Sequence, residues 1–309
     1  MESRKAVIDI GTNTFHLLIA EIDENQEIKV IFKKTIPVKL GEGGVDKGVI
    51  ATAAYQRGIE ALIDFRNDLN HYQIKKVKAT ATAAVRDAAN GKDFIDEALA
   101  KADIKITIID GLKEAEYIFL GAKASGVLDQ ENVLIMDIGG GSVEFIIANE
   151  HQIFWKKSYQ LGAARLLAIF YHQDPISTST IAQMQTLFEA QLPDLFEAIK
   201  LNHPKKLIGT AGSFDSFATL NAIRKDDTFD PEKQKNYLFY FDDFNRLLKE
   251  IINSTHQERL EMKGLIPLRV DMILMAAILT NHIIKESKIN QVITCTYSLK
   301  EGLLIDEEE

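Results

Sequence analysis

The stretch VIDIGTNTFHLLIA at residues 7–20 returns in altered form as IMDIGGGSVEFIIA at residues 135–148. Set one over the other, Asp9 falls on Asp137, Gly11 on Gly139, Asn13 on Gly141, Thr14 on Ser142 and His16 on Glu144. In each copy an apolar strand runs into an Asp, small residues turn the chain, and a second apolar strand leaves. A supersecondary unit used twice in one chain implies two bodies of like construction. The two hairpins are therefore expected to face one another across a cleft between two lobes.

Small residues at such turns have a chemical use. Glycine tolerates unusual φ and lets backbone N–H groups converge on an anion, and Thr12, Asn13, Thr14 and Ser142 add side-chain donors beside Gly139, Gly140 and Gly141. A third loop, LIGTAGSFDSF at residues 207–217, again follows an apolar strand and opens a helix, which sets Gly209, Gly212 and Ser213 where unpaired N–H groups favour an anion. One glycine turn is ordinary hairpin chemistry. Three in one chain point to a phosphate held between lobes, with the acids supplying a cation that neutralises it.

The rest of the chain alternates strand and helix patterns, as an α/β layer architecture requires. Strands are expected at 5–10, 15–22, 27–38, 75–80 and 104–109, with helices at 49–70, 83–100 and 113–125. The second half repeats the scheme, with strands at 132–138, 143–149, 152–158, 206–210 and 291–295 and helices at 161–171, 178–200, 213–224, 242–253 and 268–286. With 309 residues and 46% hydrophobic composition, two domains are expected, 1–125 and 126–309, parting near the Gly126, Asp129 and Asn132 interruption. The closing DEEE reads as a frayed acidic tail.

A net charge of −9 argues against a nucleic-acid binder working through a broad basic surface. No signal peptide and no membrane-length apolar run is visible, and the single Cys295 fits a reducing compartment, so a cytoplasmic protein with no membrane contact is expected. The lysine doublets Lys33/Lys34, Lys75/Lys76, Lys156/Lys157 and Lys205/Lys206 read first as solvated faces.

The loops, together with VKLGEG (38–43), ATATAAVRDAANG (79–91), DGLKEAEYIFLG (110–121), LGAARL (161–166), PLRVDMIL (267–274) and SLKEGLL (298–304), resemble the exopolyphosphatase and guanosine pentaphosphate phosphatase family. That family lies within the superfamily of acetate and sugar kinases, heat-shock ATPases and actin. The resemblance runs over nearly the whole chain. It implies two ribonuclease-H-like lobes with an interlobe cleft, a homodimer, and Mg²⁺-dependent release of terminal phosphate from inorganic polyphosphate or a guanosine polyphosphate.

Residue roles follow from that resemblance. In the family's G-x-E-E-A pattern, GLKEA places Glu114 at the second acidic position, with Lys113 replacing the first, and implies Glu114 as the residue that orients or deprotonates water. Glu116 is the neighbouring acid, on another side of the helix. Asp137 and Glu144 are the expected Mg²⁺ ligands, because Mg²⁺ takes a few carboxylates plus waters and substrate oxygens, and a carboxylate among Val143 and Phe145 needs a partner. His16 reads as a hydrogen-bonded strand residue rather than a ligand. Arg86 matches the family's phosphate-forking Arg, whereas Arg165 and Arg269 are expected to brace the lobes. Longer family members add a helical C-terminal region, so short chains are the expected substrate. Guanosine pentaphosphate 5′-phosphatase is the alternative, and a non-catalytic sensor of an alarmone or polyphosphate is the alternative of another class.

Overall fold

The computed structural model describes residues 4–24 and 27–306. Past Asp306 the acidic tail lies outside the described residues. The first sheet is built from β1 (Arg4–Ile10), β2 (Phe15–Ile22), β3 (Ile28–Ile36), β4 (Lys78–Ala81) and β5 (Ile106–Ile108), in the order β3-β2-β1-β4-β5. β1 to β3 form an antiparallel meander, and β4 and β5 continue parallel to β1. Parallel neighbours need crossovers, which α1 (Thr52–His71) and α3 (Gly91–Ala102) provide. Their apolar faces close one side of the sheet around Ile8, Ile10, Phe15, Leu62, Phe65 and Phe94.

The second sheet repeats this plan. Its strands are β6 (Val133–Ile138), β7 (Val143–Ala148), β8 (Ile153–Tyr159), β9 (Lys206–Thr210), β10 (Asn236–Leu238) and β11 (Val292–Cys295), in the order β10-β11-β9-β6-β7-β8. Read from β8 to β11 it has the order and strand directions of the first sheet, with β10 added antiparallel at the far edge. The molecule thus consists of two ribonuclease-H-like α/β lobes. α8 (Ala211–Arg224), α9 (Phe241–Asn253) and α11 (Met272–Ser287) cover one face through Phe214, Phe217, Leu247 and Leu274.

Between the sheets lie α4 (Gly111–Ala124), which follows β5, and α12 (Leu299–Ile305), which follows β11. Their shared core takes Val7, Leu18 and Ala20 from the first sheet and Ile135 and Ile146 from the second. The two helices meet backbone to backbone: a Cβ on Gly302 would stand 1.8 Å from the Tyr117 carbonyl oxygen, and one on Gly121 2.1 Å from that of Ser298. Among the described residues no helix is long and apolar enough to cross a membrane.

Three expectations are corrected. The helix read at 83–100 is two, α2 (Ala83–Arg86) and α3, because Asn90 turns aside to hydrogen-bond both the N–H and the carbonyl of Ile50. The helix read at 178–200 breaks into α6 (Thr178–Gln191) and α7 (Pro193–Asn202), since Pro193 has no N–H to continue the ladder and starts a new helix instead. Pro267–Arg269 forms a 3₁₀ turn ahead of α11, shortening the helix read at 268–286. Three short elements, β10, α10 (His256–Glu261) and α12, carry too little periodicity to be read from sequence.

The α4–α12 crossing yields a stability test. Gly302→Ala forces two helix backbones apart and is expected to destabilise the fold by at least about 1–3 kcal/mol. A lowered denaturant midpoint with an unchanged slope is the expected readout.

Candidate active site

The two hairpins have the same register. Asp9 pairs with His16 across β1 and β2, and Asp137 with Glu144 across β6 and β7. After the third strand each lobe returns a Leu-Gly segment to its own turn. In the first lobe Lys39 N–H donates to Asn13 O at 2.7 Å and Gly41 N–H to Thr12 O at 2.9 Å. In the second lobe Ala163 N–H donates to Gly139 O and Ala164 N–H to Gly140 O, both at 2.9 Å. The matching LG of VKLGEG and LGAARL is thus part of the repeat, and it takes up turn carbonyls. The tips touch one another: a Cβ on Gly140 would lie 2.9 Å from Thr12 Cβ, and one on Gly141 2.7 Å from Thr12 Oγ1. Only glycine permits this approach.

Beside the tips opens a cavity of about 160 Å³, lined by Thr12, Asn13, Thr14, Glu114, Asp137, Gly139, Gly140, Gly141, Ser142, Gly212 and Ser213 among the residues expected from sequence. Asp9, Asp215, Arg269, Ser298 and Lys300 also line it. Arg86 and Glu144 stand behind the wall. Arg86 donates to Glu114 Oε2 at 3.3 Å and to Ile109 O at 3.2 Å, and pairs with Asp87. Glu144, wholly buried, accepts from Ser158 Oγ at 2.6 Å. Glu116 faces away, paired with Lys113 and Lys156. His16 is hydrogen-bonded at 2.9 Å on both ring nitrogens, to Thr14 and Thr35, and burial with nearby Lys300 holds its pKa down to about 3, so it stays neutral.

The acids dominate the electrostatics. Burial, then repulsion from Glu144, pushes Glu114 well above the ordinary carboxylate range, with Arg86 opposing. Burial and the charge of Asp137 raise Glu144 to about 8. Burial raises Asp9 to about 7 and Asp215 to about 6, although Lys300 and Arg269 respectively pull them down. Asp137 accepts from Thr210 Oγ1 at 2.6 Å and from Ser298 Oγ, both on Oδ2, which leaves Oδ1 for the cavity.

Two cations face these acids. Arg269 lies over the third glycine loop so closely that a Cβ on Gly212 would be 1.5 Å from its Nη2. Gly212 therefore offers the cavity a guanidinium platform as well as a turn. Next to it Ala211 is held at φ +62°, a strained conformation of the kind that gathers at binding loops. Lys300 keeps a raised pKa despite its burial, through Glu301 and Asp215. PLRVD and SLKEG were legible as motifs, but nothing in their spacing tells that Arg269, Asp215 and Lys300 meet.

The donor set suits a hard divalent cation. Asp9 Oδ1, Glu144 Oε2 and Asp215 Oδ1 are buried without a hydrogen-bond partner, a costly state for a carboxylate unless protonated or bound to a cation. Among the described residues no three His, Cys, Asp or Glu side chains converge as a complete cage. Of the three buried carboxylates, Asp9 and Asp215 line the cavity, where a cation held by one or two carboxylates with waters and ligand oxygens would fit.

Comparison with known proteins shows what the whole chain is similar to. The model of the Ppx/GppA phosphatase family matches residues 18–309. The crystal structure of an exopolyphosphatase from Cytophaga hutchinsonii is 40% identical, covers 98% of this chain and 96% of that one, and superposes with a TM-score of 0.94. Exopolyphosphatase 2 of Mycobacterium tuberculosis is 26% identical over 98% of each chain. A bifunctional 3-dehydroquinate synthase/phosphatase of Fusobacterium nucleatum is 32% identical over 91% of this chain, which spans 43% of that protein's length.

The buried acids make stability depend on pH. Each binds its proton more tightly folded than unfolded, so its stabilisation is full below the unfolded values of 3.8 and 4.5. It is lost as pH rises through about 6 for Asp215, about 7 for Asp9 and about 8 for Glu144. Metal-free protein is expected to melt at a lower temperature at about pH 8 than at about pH 5, with added Mg²⁺ restoring more at the higher pH. A melting temperature flat across that window contradicts the account.

Proposed function

The chain belongs to the Ppx/GppA phosphatase family, and from that premise we propose that it hydrolyses terminal phosphate from short inorganic polyphosphates by Mg²⁺-assisted attack of water. The observation that carries this reading is a buried carboxylate, Glu114, in the wall of a cleft whose other walls are anion-type loops.

Phosphoryl transfer to water asks for a positioned nucleophile, neutralised oxygens and a stabilised leaving group. The terminal phosphoryl group is assigned to the space beside the two tips and the third loop, which Thr14, Ser142, Ser213 and the turn glycines line. Glu114 accepts the proton of the attacking water. Burial holds its pKa well above the ordinary carboxylate range, which makes the ionised carboxylate a stronger base, and Arg86 fixes its orientation from behind at 3.3 Å. Asp137, through Oδ1, and Asp9 would hold Mg²⁺, while Glu144 supports Ser142 and Ser158 from the interior. Bound there, Mg²⁺ supplies charge neutralisation to the phosphate oxygens. Arg269 and Lys300 are placed to take the charge of the leaving phosphate.

The test is a phosphate-release panel across polyphosphate lengths and guanosine pentaphosphate. Glu114→Gln is expected to lower kcat by about 10²-fold or more. Unchanged turnover in that variant would remove Glu114 from its role, and Mg²⁺-dependent binding without release from any substrate would favour a sensor.

Arg86 allows a second test of the same step. The guanidinium holds the Glu114 pKa down, so in Arg86→Gln that pKa rises further and the base is deprotonated only at higher pH. The acidic limb of the kcat/KM profile is expected to move to higher pH, and an unmoved limb would separate Arg86 from Glu114.

A further inference from the structure

Lys33 belongs to the strand that edges the first lobe, and its side chain points away from that lobe's helices. Its neighbour Lys34 faces α1, pairing with Asp64 and Asp68 at 2.8 Å. Lys33 therefore shares the other face with Thr35, whose hydroxyl holds His16 in the cavity wall. Its electrostatic neighbours are Lys300, Glu301, Asp215 and Asp230, which set it at the rim of the cleft.

A loop of the second lobe crosses to this rim. Residues 225–235 connect α8 to β10, and Phe229 pins the loop by packing into the second-lobe core against Tyr237. At its far end Thr296, a cavity residue, donates its N–H to Lys235 O and its hydroxyl to Gln234 O, both at 3.0 Å. From the loop's tip Glu232 ion-pairs with Lys33 across the lobes, and Lys235 pairs with Glu27 at 2.9 Å. The side chains of Lys33 and Glu232 are 38% and 57% exposed. An ion pair that wet is worth little and yields readily to a stronger anion.

We propose that Lys33 binds the phosphates behind the terminal one in a phosphoanhydride chain, and that Glu232 is an acidic gate occupying its ammonium until such a chain displaces it. This rests on the polyphosphate reading above. It gives a specificity device: a single phosphate held at the loops leaves the gate in place, whereas a chain long enough to reach the rim replaces one carboxylate with several anionic oxygens. Of the four lysine doublets read from sequence, the described ion pairs bind Lys34, Lys156, Lys157 and Lys206 to acids of their own lobe or of the adjoining interlobe helix, whereas Lys33 is held by an acid from across the rim.

The experiment is a double-variant cycle read by calorimetry with tripolyphosphate and Mg²⁺, on the Glu114→Gln background so that the ligand is not consumed. Glu232→Gln is expected to tighten Kd about two- to fivefold, and Lys33→Gln to weaken it about tenfold. The double variant should match Lys33→Gln, because without the ammonium there is nothing to gate. Independent, multiplicative effects of the two substitutions, or none, overturn the proposal, as does a gating effect found with guanosine pentaphosphate but absent with tripolyphosphate. Melting curves of each variant certify folding. Turnover of the unsubstituted protein, measured alongside, judges the polyphosphate reading separately from the gate.

Discussion

Everything at the cleft depends on the approach of Thr12 to Gly140 and Gly141. The two hairpins belong to different sheets, and a side chain at either glycine would hold them apart. Because both tips stay bare, the turns of both lobes line one small cavity. Beside the tips stand four cleft carboxylates, Asp9, Glu114, Asp137 and Asp215, with Glu144 behind them, and burial raises the pKa of each. Burying that many acids opposes folding, so the fold alone does not account for their presence. A bound cation would relieve that cost, which is the part of the proposed reading that the electrostatics support.

The cations answer a different need. Arg269 and Lys300 are built into the wall, over Gly212 and beside Glu301, and Arg86 is fixed behind it on Glu114. None stands free like a surface lysine. Arg165 is a brace in the literal sense, joining Gly141 O of one lobe to Val45 O of the other at 3.1 Å. The expectation that Arg269 serves the same purpose missed its position inside the cavity.

The parts of the fold legible in the sequence were those written locally. Period-two and helical patterns, and above all the duplicated hairpin, revealed the strands of both sheets and the correspondence of Asp9 with Asp137 and of His16 with Glu144; that the two residues of each hairpin pair across their strands was seen only in the structure. Short elements such as α12 escaped because seven residues hold barely two turns of periodicity. Within the site, glycines and hydroxyls announced themselves by spacing, while Asp215, Arg269 and Lys300 did not. They are separated by tens of residues: Asp215 and Lys300 meet because the parallel strands β9 and β11 bring their C-terminal ends to one edge, and Arg269 joins them from the turn ahead of α11. Arg86 was found by motif, yet a motif could not say that its guanidinium holds a carboxylate, Glu114, from behind the cavity wall.

The α4–α12 pair carries one more implication. α12 comes from the second half of the chain but lies against Val7 and Leu18 of the first sheet, while α4, from the first half, lies against Ile135 and Ile146 of the second. The halves are interdigitated. A cut between residues 125 and 126 would strip one apolar face from the first sheet and leave α4 with half its bed, so neither fragment is an autonomous body. Mixed, the two pieces carry complementary seams, and the cleft would be assembled only as they dock.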